Sequence, residues 1–317
     1  MRDQFLSIYR LRLSFRAIDS LFFPPYKSGN ILRGAFGILF RQIACAGDCA
    51  GPKICPFREQ CSYARVFEPE ATSLTPSGFK DPPRPFCFRT LAIDGKTIGP
   101  GREFAFDVHI FDTRAATVAA FIATFAQVAR QGLGPRRGRA SLEIAELRSL
   151  DGDAMRPLWK LGQATNEMLP PPEQIDFHSP CKGPHAIRVH FLTPTELKGG
   201  EQVLTRPEFP ILIARARDRV STLRAMYGDG PLALDFKLLE LQARSVIATK
   251  IAVSQIEAER QSSRTGLRHP LGGFVGLAEY EGDLQPFLPL LRAAQYTGIG
   301  RQTVWGKGAT RVEIIAP

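Results

Sequence analysis

The stretch that decides the fold, Gly298-Ile299-Gly300-Arg301-Gln302-Thr303-Val304-Trp305-Gly306-Lys307-Gly308, places two glycine pairs around a basic and aromatic segment. Glycine adopts positive φ angles and lets the backbone lie close to a ligand, so four glycines predict a loop shaped for close approach. Their amides would meet phosphates, Arg301 and Lys307 would add charge, and Trp305 would offer a stacking face. The alternative is a tight helix-to-strand connection with Trp305 in the core.

The elements on either side of this loop exclude a dinucleotide-binding fold. That fingerprint requires a strand before the glycines and a helix after them. Here an apolar helical pattern from Leu284 to Ala294 precedes the glycines, and an alternating run from Thr310 to Ile315 predicts a strand after them. No nucleotide cofactor is therefore expected.

Length and charge point to a basic protein of two domains. The chain has 317 residues, which suits two domains of roughly 150 residues each. Its 41 Lys and Arg residues exceed its 31 acidic residues, and the formal charge of +10 favours a polyanionic partner such as nucleic acid. No apolar run approaches the roughly 18 residues that cross a bilayer, and residues 1–4 lack a signal-peptide segment. We therefore expect a cytoplasmic protein without membrane association.

The first half reads as a β-α-β-β-α-β unit. Alternating apolar residues predict strands at about 5–15, 86–93, 104–110 and 141–147, and apolar residues at helical spacing predict helices at about 32–43 and 118–128. Directly after the second helix comes Gly132-Leu133-Gly134, followed by the basic tract Arg136, Arg137 and Arg139. This tract is a second predicted phosphate-contacting segment, with surface solvation as the alternative.

The second half repeats this order after a proline-rich segment. Residues 151–184 are predicted to be a linker. Beyond it, strands are predicted at about 187–191, 253–263, 272–280 and 310–315, with helices at about 212–227 and 284–294 and a mostly helical stretch at 232–252. Both halves place a Gly-apolar-Gly sequence after their last helix. The chain is therefore predicted to be an α+β protein of two tandem ferredoxin-like domains, 1–150 and 185–317, with a cysteine-containing insertion at about 44–85 in the first.

Four cysteines in that insertion form a candidate structural metal site. Cys45, Cys49, Cys55 and Cys61 fall within 17 positions. Four thiolates so close together can satisfy tetrahedral zinc, and the cytosol disfavours disulfides. The spacing lacks the usual C-x2-C pairs, so an iron–sulfur cluster or a set of free thiols remains open.

Three segments resemble one family. The glycine loop at 298–308 is similar to the glycine-rich loop of the RAMP superfamily of CRISPR-associated proteins. The segment from Ser263 to Gly276, and Leu32-Arg33-Gly34-Ala35-Phe36-Gly37 with the cysteines after it, resemble the CRISPR precursor-RNA processing endoribonucleases of that superfamily. The resemblance implies binding of a CRISPR repeat and one cut without a metal cofactor. Attack of the ribose 2′-OH on the adjacent phosphate would leave a 2′,3′-cyclic phosphate and a 5′-OH. The partners implied are the repeat RNA and other CRISPR effector proteins, with the enzyme a monomer or homodimer.

The reaction requires a proton acceptor, a proton donor and cations around the phosphate. His269 is one candidate because it lies between two predicted strands beside Arg264 and Arg268, which suit a scissile phosphate. The alternative is a loop histidine that contacts the RNA backbone or caps a turn.

The resemblance also implies a general base near the first helix, typically a histidine with a nearby tyrosine or lysine. This chain has no histidine there. Tyr26 and Lys27 precede that helix and are the second candidate pair, and Arg33 on the helix is a predicted RNA contact. The alternative is a simple turn with a solvent-reaching lysine. The missing histidine also raises a second hypothesis, a non-catalytic repeat-RNA-binding subunit of an effector complex. A zinc-dependent DNA-binding regulator is a third.

Overall fold

The computed structural model describes residues 4–45, 51, 54–70, 82–150, 152–163, 168–177, 183–261 and 268–315. Only the backbone is described for 260–261 and 268–270. The chain divides into two compact units. One contains Ser7–Gln174 and Ala225–Asp229, and we call it the N-terminal domain. The other contains Met1–Leu6, Ile175–Arg224 and Gly230–Pro317, and we call it the C-terminal domain. No described helix is long and apolar enough to span a bilayer.

The first part of the chain forms a sheet covered by helices on one face. Its elements are β1 (Phe5–Ala17), β2 (Leu21–Phe22), α1 (Ser28–Ala44), α2 (Ser62–Phe67), β3 (Phe86–Arg89), β4 (Thr97–Ile98), β5 (Glu103–Ile110), α3 (Ala115–Gln131), β6 (Ala140–Arg148), β7 (Met155–Lys160) and β8 (Glu173–Asp176). The strand order is β3-β5-β1-β6-β7, and β8 also pairs with β1. With α1 and α3 as the connecting helices, β1, β3, β5 and β6 make a βαββαβ unit, which confirms the prediction.

Phenylalanine side chains fill the core of this domain. Leu11, Leu13 and Phe15 of β1 are fully buried, as the alternation predicts. On the helices, the Phe36 ring of α1 lies 4.4 Å from Phe121 and 4.9 Å from Phe125 of α3, measured between ring centroids. These contacts pack α1 against α3, and α1 begins directly after one of the predicted reactive regions.

Part of the predicted linker is sheet. Residues 151–184 contain β7 and β8, so the proline-rich composition was misleading. Pro157 lies in β7, opposite Glu146. Because β7 is the last strand in the order, its outer side needs no ladder donor, and an edge strand tolerates proline. The domain limits of 1–150 and 185–317 stay a prediction.

The second part of the chain repeats the topology of the first. Its elements are β9 (Ala186–Thr195), β10 (Lys198–Gly199), β11 (Gln202–Val203), α4 (Phe209–Tyr227), α5 (Phe236–Arg244), β12 (Ile247–Ile256), β13 (Glu259–Gln261), β14 (Arg268–Pro270), β15 (Gly273–Glu281), α6 (Leu288–Thr297) and β16 (Thr310–Ile315). The main sheet has the order β12-β15-β9-β16, which matches β3-β5-β1-β6 strand for strand. The tandem ferredoxin-like architecture is thereby confirmed.

One secondary-structure prediction in this domain is wrong. The stretch 232–252 is not mostly helical, because only Phe236–Arg244 forms a helix and β12 already begins at Ile247. Short runs rich in β-branched residues fit either a helix or a strand by periodicity alone. Pairing with β15 along the whole of β12 makes this run a strand rather than a helix.

Candidate functional site

The glycine loop at 298–308 connects α6 to β16 and is closed by its own backbone. The amides of Gly298, Ile299 and Gly308 donate to protein carbonyl oxygens at 2.8, 2.9 and 3.1 Å. The Gly306 amide donates to the Thr303 carbonyl at 3.0 Å. These four amides therefore have protein acceptors, and contact between the loop glycines and RNA stays a prediction.

Two of these glycines are required by close packing. Gly300 and Gly308 have φ angles of 80° and 66°, in the left-handed region. A Cβ atom at Gly300 would lie under 3.0 Å from the Glu196 carbonyl oxygen, and one at Gly308 would lie equally close to the Ile299 carbonyl oxygen. Cβ atoms essentially never approach backbone so closely. Folding alone thus requires glycine at both positions.

The loop presents one of its two predicted cationic side chains to solvent. Arg301 is exposed, and its Nη1 lies 2.6 Å from Oε1 of the buried Glu196. Trp305 is half-buried, so it is neither a core residue nor a fully presented stacking face. Lys307 is only 3% exposed, so its side chain does not reach solvent, contrary to the prediction. Arg301 is therefore the group best placed to meet a phosphate.

The N-terminal domain contains the counterpart of this loop. The Gly132 amide donates to Val128 at 3.0 Å at the end of α3, and the Leu133 amide donates to the Gly138 carbonyl at 2.8 Å. In the C-terminal domain, Ile299 donates in the same way to Gly308. Leu133 and Ile299 are both fully buried. The apolar residue of each Gly-apolar-Gly sequence is thus an anchor in the core, which the repeated pattern itself could not reveal.

The basic tract of this loop is on the surface. Arg136, Arg137 and Arg139 are exposed. Arg139 pairs with Asp19 at 2.8 Å, and this hydrogen bond lowers the pKa of the Asp19 carboxyl group. The tract therefore offers cationic side chains to a ligand, with Arg139 partly neutralised.

The turn before α1 holds the second candidate pair. Tyr26 has a φ of 60°. Lys27 is the residue immediately before α1, and its own side chain makes no capping hydrogen bond in the described structure. Both side chains are half-buried. Between them, the turn offers a phenol and an amine at the start of a helix, where backbone amides favour anions.

The two glycines of α1 have different surroundings. A Cβ at Gly37 would lie 3.0 Å from the Phe67 ring of α2, so this glycine is explained by helix packing rather than by packing on the sheet. A Cβ at Gly34 would have no described atom within 4 Å, and Gly34 is exposed. Arg33 lies over the Phe67 ring at 5.4 Å. No contact within the described fold explains why Gly34 is glycine.

Three described non-glycine residues have positive φ angles: Tyr26, Arg137 and Gln302. Each conformation costs an L-residue about 1–2 kcal/mol. Such strain concentrates at functional sites because ordinary turns select glycine instead. The three residues lie in the turn before α1, the basic tract and the glycine loop. These are three of the segments from which RNA contacts are predicted.

The structure places the remaining candidates only in part. His269 lies on β14, opposite Arg260 of β13, and Arg268 precedes it on the same strand. The side chains of this ladder and the whole of Arg264 lie outside the described residues. The predicted roles of these three residues stay predictions.

The cysteine site is not supported. Within the described residues, Cys45, Cys55 and Cys61 form no disulfide bond and are half-buried, and Cys49 lies outside the described residues. Within the described ranges, no group of three or more His, Cys, Asp or Glu side chains is placed to hold a metal ion. The three described thiols do not form the tetrahedral set that zinc requires. We therefore propose no role for zinc.

Two family models match the chain. A model described as an N-terminal domain matches residues 6–173, which is more than half of the chain. The model of the CRISPR-associated endoribonuclease Cas6 matches residues 189–310, including the glycine loop. A search of curated proteins found no match.

Solved structures of similar fold cover nearly the whole chain. A Cas6 product complex matches with a TM-score of 0.56 at 16% identity, covering 96% of this chain and 100% of that one. Cas6 from Thermus thermophilus matches with a TM-score of 0.52 at 14% identity, covering 97% and 99%. A partial Cas6-RT-Cas1–Cas2 complex matches with a TM-score of 0.58 at 12% identity, covering 98% of this chain but 46% of that one. At these identities the similarity establishes the fold.

Proposed function

We propose that this chain, whose residues 189–310 match the Cas6 endoribonuclease family, binds the repeat of a precursor CRISPR RNA and cleaves it once. The observation that carries the proposal is the Cas6 family match over residues 189–310. The solved Cas6 product complex, of the same fold, supports it. The strained backbone at Tyr26, Arg137 and Gln302 supports the proposal that the turn before α1, the basic tract and the glycine loop contact the RNA.

In the proposed reaction the ribose 2′-OH attacks the neighbouring phosphorus, and the bond to the 5′-oxygen of the next nucleotide breaks. The products are a 2′,3′-cyclic phosphate and a 5′-OH, and no metal ion takes part. One proton leaves the 2′-OH and one reaches the 5′-oxygen, so the enzyme must accept one and return one. We assign these transfers to Tyr26 and Lys27, with the ammonium group of Lys27 also stabilising the charged phosphorane.

The exposed arginines would hold the RNA backbone. Arg136 and Arg137 in the N-terminal domain and Arg301 in the C-terminal domain are exposed cations, each on the glycine loop of its own domain. Phosphate contacts by such side chains position RNA and make affinity fall with salt. Binding of the repeat should therefore weaken steadily as salt is raised.

The test uses purified protein and the repeat RNA from its host, labelled at the 5′ end, in excess chelator. We expect a single cut, with a 2′,3′-cyclic phosphate on the upstream fragment. A cut that appears only after Mg²⁺ is added would overturn the metal-independent mechanism. Tight, salt-sensitive binding with no product under either condition would instead support the non-catalytic RNA-binding subunit, which the lack of a histidine near α1 favours.

Replacing Gly34 with alanine should stabilise the fold and weaken RNA binding. Glycine in an exposed helical position costs about 0.5–1 kcal/mol relative to alanine, and the new Cβ would meet no described atom. We therefore expect the free energy of unfolding in urea to rise by about that amount. If the RNA backbone passes over this face of α1, the Cβ will hold it away, and the Kd for repeat RNA will rise severalfold. A more stable variant with unchanged Kd would show that the RNA runs elsewhere.

A further inference from the structure

Asp94 is joined to the start of α1 by several hydrogen bonds, although it lies far away in sequence. It belongs to the turn between β3 and β4. Its Oδ2 accepts the Tyr26 amide at 2.6 Å, and its Oδ1 accepts the Ser28 amide at 3.2 Å together with the Ser28 hydroxyl group. We infer that Asp94 is the positioning residue that sets the geometry of Tyr26 and Lys27 for RNA cleavage. This inference rests on the proposed function.

The two carboxylate oxygens hold the chain on both sides of Lys27. One takes the amide of the residue before it and the other the amide of the residue after it. The Lys27 amide itself donates to the Pro24 carbonyl at 3.1 Å. Three consecutive amides of the turn are thus fixed, which leaves the backbone beneath both reactive side chains little freedom.

The hydrogen bonds from the Tyr26 and Ser28 amides to Asp94 form a clamp, and this clamp stabilises the left-handed backbone of Tyr26. A tyrosine at a φ of 60° is disfavoured by about 1–2 kcal/mol. A charged acceptor at 2.6 Å offsets such a cost, because hydrogen bonds to ionised groups are the stronger kind. Without Asp94, the turn would relax toward negative φ, and the direction of the Tyr26 side chain would change.

Asp94 is itself held in place. Its amide donates to the Thr90 carbonyl at 3.0 Å. The Ser28 hydroxyl group lies 2.8 Å from the Thr90 hydroxyl group, and both of those residues are buried. The carboxylate is therefore a fixed point that links the two turns. Groups held in this way suit catalysis, where a shift of about 1 Å in a reacting group costs about a hundredfold in rate.

Asp94 also caps α1 from a distant part of the sequence, and a role in capping alone would affect stability but not cleavage. Asp235 provides a matched control: it caps α5 in the C-terminal domain, and its Oδ1 accepts the Lys237 and Leu238 amides at 3.0 Å each. Asp94→Ala and Asp235→Ala should lose similar stability. If capping is all that matters, neither should change cleavage while the protein remains folded.

The experiment measures single-turnover cleavage and RNA Kd for Asp94→Ala, Asp235→Ala and the Tyr26→Phe/Lys27→Ala variant with and without Asp94→Ala. We expect Asp94→Ala to lower the cleavage rate by between about tenfold and a hundredfold, with Kd changed by less than about twofold. Asp235→Ala should cleave at the unmodified rate. In the Tyr26→Phe/Lys27→Ala background, Asp94→Ala should cause no further loss, because it acts through those side chains.

Cleavage by Asp94→Ala at the unmodified rate would overturn the inference, and so would an undiminished loss in the Tyr26→Phe/Lys27→Ala background. If the alanine variant does not fold, Asp94→Asn replaces it. An asparagine keeps one carbonyl oxygen and so loses one side of the clamp, and we expect a smaller loss of rate. Failure of the proposed function is distinguishable, because the unmodified protein would then cut no RNA at all.

Discussion

Replacing Gly308 with alanine is expected to lower the free energy of unfolding of the C-terminal domain by about 3–5 kcal/mol, or to prevent folding. The residue has a φ of 66°, and a Cβ there would lie under 3.0 Å from the carbon and oxygen of the Ile299 carbonyl. That carbonyl is part of the backbone of the same closed loop, so it cannot move aside as the end of a flexible side chain could. Urea unfolding followed by circular dichroism measures the effect.

Gly200 supplies the matched control in the same domain. Its φ is 62°, but a Cβ there would have no described atom within 4 Å. Gly200→Ala therefore introduces the backbone strain without the collision and should cost about 1–2 kcal/mol. Equal losses in the two variants would show that backbone strain alone, and not close packing, fixes glycine at 308.

Much of the fold could be predicted from local patterns. The alternation in β1 and β9 reflects one buried face along most of each strand, and the repeated Gly-apolar-Gly after α3 and α6 reflects the same closed loop in both domains. The start of β12 could not be predicted, because its pairing with β15 outweighs an ambiguous periodicity. Strands β7 and β8 could not be predicted either, because they lie in a segment whose prolines suggest a linker, and their pairing with β6 and β1 outweighs that local signal.

The site was less predictable, since its contacts join residues distant in sequence. Asp94 is 68 residues from Tyr26 and 66 from Ser28, and no spacing rule links them. A sequence signal did exist in Asp94-Gly95, which is typical of a turn, but it does not show what the turn contacts. The burial of Lys307 was likewise invisible, because loop lysines are ordinarily exposed.

The Tyr26→Phe/Lys27→Ala variant is expected to lower the single-turnover cleavage rate by about a hundredfold to ten-thousandfold. General acid–base groups contribute that much, and this variant removes both the phenolic hydroxyl group and the amine. The Kd for repeat RNA should change by no more than severalfold, because one lysine adds one phosphate contact among several. Gel-resolved cleavage time courses and filter-binding titrations with the same RNA separate the two effects.

Two further variants, Lys96→Ala and His269→Ala, are controls for the Tyr26→Phe/Lys27→Ala result. Lys96 is an exposed lysine on the turn that contains Asp94, and Lys96→Ala removes the same charge from the same domain without touching the proposed pair. It should cleave at close to the unmodified rate. If His269→Ala abolishes cleavage while the Tyr26→Phe/Lys27→Ala variant retains it, the proton transfers belong to β14 and our assignment is wrong. If both variants lose cleavage and still bind RNA, His269 is required as well as the turn before α1, and the assignment of both proton transfers to Tyr26 and Lys27 is wrong.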